Sequence, residues 1–555
     1  MGGTRSLSSI LAVVPIALAM ACAVGDVHAA LPESRVRAET AALLAGPDPL
    51  VLGRERLDGA ALRALYARHG GAPLWTDGRA AGAAGAVHDA TLDGLEPSDY
   101  HAAAIARRLG AETPRQQAEL DLLVSDALLH LTAEVHAGRR PPRERTQDIA
   151  LAARPVDPVG LVLGAAAAAD VRAYVAALAP AHPEYQALRA ALARYRTLAK
   201  DGWPTLPAGP PLEPGVDDPA VPVLRQRLVV TGDLPADTTG TTLYDETMQA
   251  GVRKFQLRHG ITPDAVVGPT TRLALNVRAP QRVSQIALNM ERWRWLADDL
   301  GRRHVRVNIA AFSLRLMDEG RLVEEMPVVV GRDEWETPVF SSRITHVIFN
   351  PRWTVPAAIA REDLLPKLQK DPEYLGKHGI RVYAGWGLDA EPVDPASIDW
   401  RADEAHVARL KFAQDPGPDN PLGRIKFQIP NEFDVYLHDS PSQNLFQRPV
   451  RTSSHGCVRV GDPNGLAAWL MRDMPDWSVE HRQEVLAGWE TKTVRLRSPV
   501  PVHVLYLTAW VGDDGAVNFR RDIYGRDEEL RVQLRRPEAP PAPGPLEHDA
   551  RRAAS

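Results

Sequence analysis

Apolar residues recur at steps of three and four through much of residues 57–198, a stretch rich in Ala and Leu, and that spacing predicts helices. Leu120, Leu123, Val124, Ala127, Leu128, Leu131 and Val135 share one face of a single helix and read as a packed core face. Gly138 is placed to cap its end, and Pro141 and Pro142, which lack an amide donor, prevent its continuation. Pro204, Pro207, Pro210, Pro211 and Pro214 then favour extended backbone and mark a linker over 204–217. Beyond it, Val223, Leu224 and Leu228 form one short helical face and Met248, Val252 and Phe255 another, with a Thr231-Gly232-Asp233 turn between them. Phe255 reads as core.

From about Gln281 the period changes to two. Val305, Val307 and Ile309 alternate with Arg306 and Asn308, followed by Leu314 and Leu316 and by Val328 and Val330, the pattern of strands with one buried face. Further strands are expected at 344–349, 425–429 and 435–438, and 502–510 should pair with 516–520 around Asp513-Asp514-Gly515. Residues 357–414 begin helix-like at 359–368 and continue into a Gly- and Trp-containing stretch, which reads as a helical lid inserted over the sheet. The tail 537–555 is Pro-rich without an apolar pattern and is expected to be disordered.

The fold class is therefore multidomain α + β. It comprises a helical domain over 30–203, the linker, a small helical module over 218–278, and a mainly β domain over 281–530 carrying the insertion. A length of 555 residues exceeds one ordinary core, and 45% hydrophobic with 24% charged residues is the mix of folded chains. A net charge of -5 offers no global basic field for nucleic acid, which is excluded as a partner.

Arg5, an apolar run over 10–24 and the small residues around Val27-His28-Ala29 follow the order of a secretory signal peptide, expected over 1–29. The run is short for a membrane span and contains Pro15; an uncleaved anchor is the alternative to cleavage, with peripheral membrane association. Lipidation at Cys22 is a weaker reading, because Ala19-Met20-Ala21 lacks the usual Leu. With the segment removed, Cys457 is the sole thiol in an oxidising compartment, which excludes a disulfide framework.

That thiol stands in Ser453-Ser454-His455-Gly456-Cys457-Val458-Arg459, shortly after Tyr436-Leu437-His438-Asp439-Ser440. An ordinary Cys is mostly protonated near neutrality, so a neighbouring imidazole that takes or shares its proton supplies the nucleophile. His438, at a strand end, suits that role. Its ring needs an acceptor for the other N–H, and both the backbone carbonyl and the side chain of Asp439 are candidates. Gly456 allows the main chain to approach a substrate carbonyl, with the Gly456 and Cys457 amides as oxyanion donors. His455 falls on the substrate side of the turn, and Arg459 is suited to a carboxylate. The competing readings are a buried structural thiol, a zinc site from His438, Asp439, His455 and Cys457, a packing role for His455 and an ordinary ion pair for Arg459.

On these residues the chain resembles the L,D-transpeptidases of bacterial cell-wall synthesis, whose YkuD-type domain carries a His, some fifteen residues, then Ser/Thr-His-Gly-Cys. Here fifteen residues separate His438 from Ser454-His455-Gly456-Cys457. Arg459 stands where an Asn is common, and Val458-Arg459-Val460 is similar to the large multidomain Gram-negative branch. So are the segments 350–356, 418–423 and 522–525, and Leu74-Trp75 with 93–100 in the helical scaffold. Arg253-Lys254-Phe255-Gln256 with 267–271 resembles a peptidoglycan-binding module of three helices, with Asp264-Ala265 where Asp-Gly is usual.

The resemblance implies a YkuD-like β-sandwich in which Cys457 is the nucleophile, His438 the base, and the carbonyl after it the third member. Ser454, Tyr436 and Trp353 would join His455 and Arg459 at the substrate. It further implies peptidoglycan stem tetrapeptides as donors, a second stem's amine as acceptor, 3-3 cross-links, acylation by carbapenems, no metal or other cofactor, and a periplasmic site of action. Hydrolysis of the same peptides, transfer to a lipoprotein Lys, and a non-catalytic wall-binding scaffold are the rival readings.

Overall fold

The computed structural model describes residues 32–76, 78–139, 148–387, 389–401 and 409–535. The expected signal segment, Cys22, the stop at Pro141 and Pro142, and the tail from 537 lie outside the described residues.

The helix Pro114–Ala137 is the axis of the N-terminal region. Thr113 accepts from the Gln116 amide while the Gln116 side chain accepts from the Thr113 amide, a reciprocal cap, and Gly138 ends the helix at φ 87°. The predicted apolar face is buried, and so is much of the other side. There Asp121 accepts the Leu74 and Trp75 amides at 3.0 and 2.7 Å, and Ser125 accepts the Trp75 indole N–H at 2.9 Å. Buried polar groups on this face are satisfied, so the helix can be covered all round.

Three helices, Val221–Val230, Glu246–Arg258 and Pro269–Leu275, make the small module around Leu224, Leu228, Met248, Val252 and Phe255. Phe255 is fully buried, as expected of a core residue. Ala265 holds φ 64°, the left-handed conformation that explains why Gly is usual there. The preceding segment is extended, as its prolines dictate, but packed rather than free. Leu206 and Leu212 enter the module's core, and Asn276 clasps both the amide and the carbonyl of Leu206 at 2.8 and 2.9 Å.

Alternation does not begin at Gln281. A helix, Ala279–Arg294, comes first, and the strands start at Arg303. Its helical stripe is masked in the sequence because polar residues are buried on it too: Asn289 donates to Thr508 Oγ1 at 2.8 Å, and Arg294 pairs with Glu291 at 2.9 Å.

Among the described residues, eight strands form the closed part of the sheet: β1 Arg303–Asn308, β2 Ser313–Asp318, β3 Arg321–Gly331, β4 Val339–Phe349, β5 Ile425–Gln428, β6 Leu437–His438, β7 Val458–Val460 and β8 Lys492–Leu505. Their pairing runs β5-β6-β7-β3-β2-β1-β8-β4, and β4 also pairs with β5, so the hydrogen bonding closes on itself. Closure pairs each of these strands on both sides over part of its length, which leaves little free edge. The short strand Ile149–Ala150, sent out by the helical region, pairs in parallel with Val339 and Phe340 at the start of β4. β1 is buried on both faces rather than one: Arg306, on its outer side, is held by Glu184 at 2.7 Å from the helix Pro183–Asp201 and lies over Trp293. The predicted hairpin is present as Ala509–Val511 with Val517–Phe519, while residues 502–505 belong to β8.

The insertion starts helical, as expected, through Ala357–Ile359, a π turn at Ala360–Leu364 and Leu365–Lys370. It then adds an antiparallel sheet in the order Pro392–Val393, Ile380–Tyr383, Lys411–Gln414, Trp353–Thr354. Strands of two to four residues give too few alternations to be read from sequence. The insertion has its own core, with Leu364, Leu368, Leu375 and Phe412.

Candidate active site

β6 and β7 run parallel, with Leu437 opposite Val458 and His438 opposite Arg459. In registered parallel strands, paired residues and those two places away share a face. Leu437 and Val458 are fully buried in the core, so Tyr436, His438, Cys457 and Arg459 emerge together on the other side. All four line a cleft of about 640 Å³ between the closed sheet and the insertion.

His438 Nδ1 lies 2.5 Å from the Asp439 carbonyl oxygen. The Asp439 carboxylate is turned away, accepting the Arg424 and Ser440 amides at 2.7 Å each, so of the two candidate acceptors the carbonyl is the one in contact. Donation to a carbonyl fixes the proton on Nδ1 and leaves Nε2 as the basic nitrogen. Burial and the Arg459 charge hold the imidazole down to about 3, so the ring is neutral across the physiological range. Burial pushes the Cys457 thiol up, while the Tyr436 amide and hydroxyl and the Lys426 charge pull it back. The Cys457 Sγ lies 3.9 Å from the Asp434 carbonyl oxygen, and a neutral thiol and a neutral imidazole line the same cleft.

The turn carrying Cys457 is held from several directions. Ser454 Oγ donates to the Cys457 carbonyl at 2.5 Å, so its proton serves the turn. Thr337 Oγ1 donates to the Gly456 carbonyl at 2.8 Å. Gly456 has φ 96°, a conformation side-chain-bearing residues rarely adopt, so the Gly expected from the sequence is needed here. Among the described residues neither the Gly456 nor the Cys457 amide meets an acceptor, which leaves both as candidate oxyanion donors.

His455 Nε2 sits 2.9 Å from the Asp363 carboxylate in the insertion and 3.1 Å from Arg332 Nη2, with Trp335 beside its ring. Arg459 has a buried Nε with no hydrogen-bond partner, and among the described residues no carboxylate pairs with it. It therefore presents an uncompensated cation to the cleft. Trp353, on the insertion's edge strand, lines the cleft wall facing Tyr436. Among the described residues no three His, Cys, Asp or Glu side chains lie close enough to hold a metal ion; Asp439 is committed to two amides and His438 Nδ1 to a carbonyl.

Sequence reasoning missed Lys426 and Asp363. Lys426 lies on β5 opposite His438, its Nζ 3.8 Å from the centre of the Tyr436 ring. Its parity put it on the outer face of an alternating strand, where a Lys ordinarily meets solvent. Asp363 is one of two acids in a helix and carries no local signal. Among the described residues no helix is long and apolar enough to cross a membrane.

Residues 302–502 match the L,D-transpeptidase catalytic domain of the YkuD family, residues 217–275 a family described as "Putative peptidoglycan binding domain", and residues 60–192 the Scaffold domain. A curated protein of Haemophilus influenzae, described as "Putative L,D-transpeptidase", is 36% identical over 249 residues, which are 45% of this chain and 49% of that protein. The chain thus spans about half the length of that relative. Solved structures with a likeness include an L,D-transpeptidase in complex with imipenem (13% identity, TM-score 0.19, 37% of this chain and 59% of that one). Another, from Xylanimonas cellulosilytica, has 16% identity and a TM-score of 0.17, covering 54% of this chain and 99% of that one. At such TM-scores these likenesses add nothing to the fold described above. The three domain matches, taken with the motif and its geometry, establish that the chain carries a YkuD-family L,D-transpeptidase catalytic domain together with a scaffold domain and a peptidoglycan-binding domain.

Proposed function

We propose that the protein forms 3-3 peptidoglycan cross-links in the periplasm through a thioester on Cys457. The observation that carries this reading is the shared face of β6 and β7, which sets a carbonyl-oriented imidazole, a thiol and an unpaired guanidinium in one cleft. Cys457 Sγ attacks the carbonyl of the third residue of a stem tetrapeptide, meso-diaminopimelate, as His438 Nε2 takes the thiol proton. The Gly456 and Cys457 amides receive the developing oxyanion. The attack forms the S–C bond, and collapse of the tetrahedral intermediate restores the C=O and breaks the C–N bond to D-Ala, whose amine leaves with the proton from His438. The side-chain amine of a second stem then attacks the thioester. His438 takes a proton from that amine and returns it to the departing sulfur, so the new C–N bond replaces C–S and the enzyme is restored. Arg459 holds a substrate carboxylate, His455 and Trp353 flank the peptide, and carbapenems acylate the same sulfur through their ring carbonyl.

The test is mass spectrometry of muropeptides after incubation of tetrapeptide-bearing sacculi with the purified protein. The reading expects 3-3 dimers that vanish with Cys457→Ala. Trimmed tripeptides without dimers would mean water is the acceptor, and dimers surviving in Cys457→Ala would exclude this nucleophile.

A further inference from the structure

Lys426 performs no step above, yet it stands where a charge would act on every step. The antiparallel pairing of β5 with β6 puts it beside His438, and the parallel pairing of β6 with β7 continues the row to Arg459. Its ammonium lies 3.8 Å from the Tyr436 ring centre, and Tyr436 in turn is the neighbour of Cys457. The side chain is half-buried, and among the described residues no carboxylate comes within ion-pair distance of it. A cation withdrawn from water without a carboxylate partner is costly to keep, and its field is weakly screened at this depth.

Resting on the reading of Cys457 as nucleophile, we infer that Lys426 is a positioning residue whose positive charge, seated on the Tyr436 ring, stabilises negative charge on the Cys457 sulfur. The direction of its influence agrees: Lys426 pulls the thiol down, and it adds a small lowering to the His438 ring that burial and Arg459 already hold neutral. Tyr436 and Asp434, from β6 and its approach, and Arg459 from β7 act on the sulfur, and His438 and His455 line the same cleft. Of these, Asp434 opposes the thiolate and Arg459 acts with Lys426. Lys426 makes and breaks no bond. It supports the thiolate-like sulfur both as it attacks and as it leaves the thioester in the second half of the cycle.

The test is the pH profile of Cys457 alkylation by iodoacetamide, read by intact mass on the full chain, in the unsubstituted protein and in Lys426→Met, Lys426→Gln and Lys426→Arg. Circular dichroism establishes that each variant is folded. The neutral variants should move the alkylation midpoint to higher pH and slow labelling at pH 7 by roughly threefold to tenfold, the equivalent of about half to one pH unit. Lys426→Arg should restore the midpoint. An unmoved midpoint in a folded neutral variant overturns the inference, and so does a displacement in Lys426→Arg as large as in Lys426→Met, because charge would then not be the property that matters. Failure of the underlying reading looks different: the unsubstituted protein itself would resist alkylation at every pH, and both claims would fall together.

Discussion

His455 Nε2 and the Asp363 carboxylate meet at 2.9 Å across the cleft, joining the turn that carries Cys457 to the π turn of the insertion. The same nitrogen faces Arg332 Nη2 at 3.1 Å. One nitrogen cannot both donate to Asp363 and accept from Arg332, so the proton there favours one neighbour at a time. Burial and Arg332 lower the His455 pKa while Asp363 raises it, with Arg459 and Glu362 adding smaller opposing effects. A proton on Nε2 thus favours the contact with the insertion.

Asp363→Asn should weaken that tie. The pair is partly exposed, so its loss should change stability by less than about 1 kcal/mol. The effect belongs in catalysis: kcat/KM for cross-linking should fall about threefold to tenfold, with hydrolysed tripeptide rising relative to dimer as water enters. Unchanged partition between dimer and tripeptide in steady-state assays would show that the contact does not govern access.

His438, the proposed base, should be more sensitive. His438→Gln should slow carbapenem acylation by roughly 10²- to 10⁴-fold, the usual weight of a general base. Because the ring is held down to about 3, lowering pH from 7 to 5 should leave it unprotonated and the acylation rate nearly flat. An acid limb with a midpoint near 6.5 in stopped-flow acylation would contradict the buried, carbonyl-bound ring.

The residues brought together in the cleft were legible because their signals are local. His438, Gly456 and Cys457 stand in a short motif, Phe255 and its partners repeat at helical spacing, and the hairpin at Asp513-Asp514-Gly515 is fixed by its turn. What stayed hidden depends on partners distant in sequence. The helix Ala279–Arg294 buries Asn289, Glu291 and Arg294 against other elements, which erases its apolar stripe. Lys426 becomes part of the site only through the registers of β5, β6 and β7. Closure between β4 and β5 joins residues near 347 and 427, a pairing no local period encodes.

A second titration concerns stability. His503 is buried with Nδ1 2.9 Å from Ser341 Oγ and Nε2 2.9 Å from the Leu300 carbonyl, and burial holds it down to about 4. His304, Arg306 and His182 surround it, and all disfavour its charge. Between about 6.5 and 4 the unfolded chain binds a proton that the folded one refuses, so stability falls as pH falls through that window. His503 accounts for about 3 kcal/mol of the loss, at ~1.4 kcal/mol per unit. His503→Gln should flatten the decline of the thermal midpoint between pH 6.5 and 4. An equally steep decline would place the acid sensitivity elsewhere.

Arg459 allows stability and function to be separated. Its buried guanidinium has an unpartnered Nε and, among the described residues, no carboxylate, and burial lowers its pKa. A cation kept in that state raises the free energy of the empty fold, so Arg459→Met should leave the thermal midpoint unchanged or raise it. With a carboxylate bound, the same group gains charge-assisted hydrogen bonds each of about 1.5–3 kcal/mol. Cross-linking of tetrapeptides should therefore drop about tenfold to a hundredfold in kcat/KM, while a donor whose C-terminal carboxylate is amidated should lose far less. Assaying both donors with both proteins closes a double-mutant cycle. Equal losses on the two donors would mean that Arg459 does not recognise that carboxylate, and a falling thermal midpoint would mean that its charge is compensated within the fold.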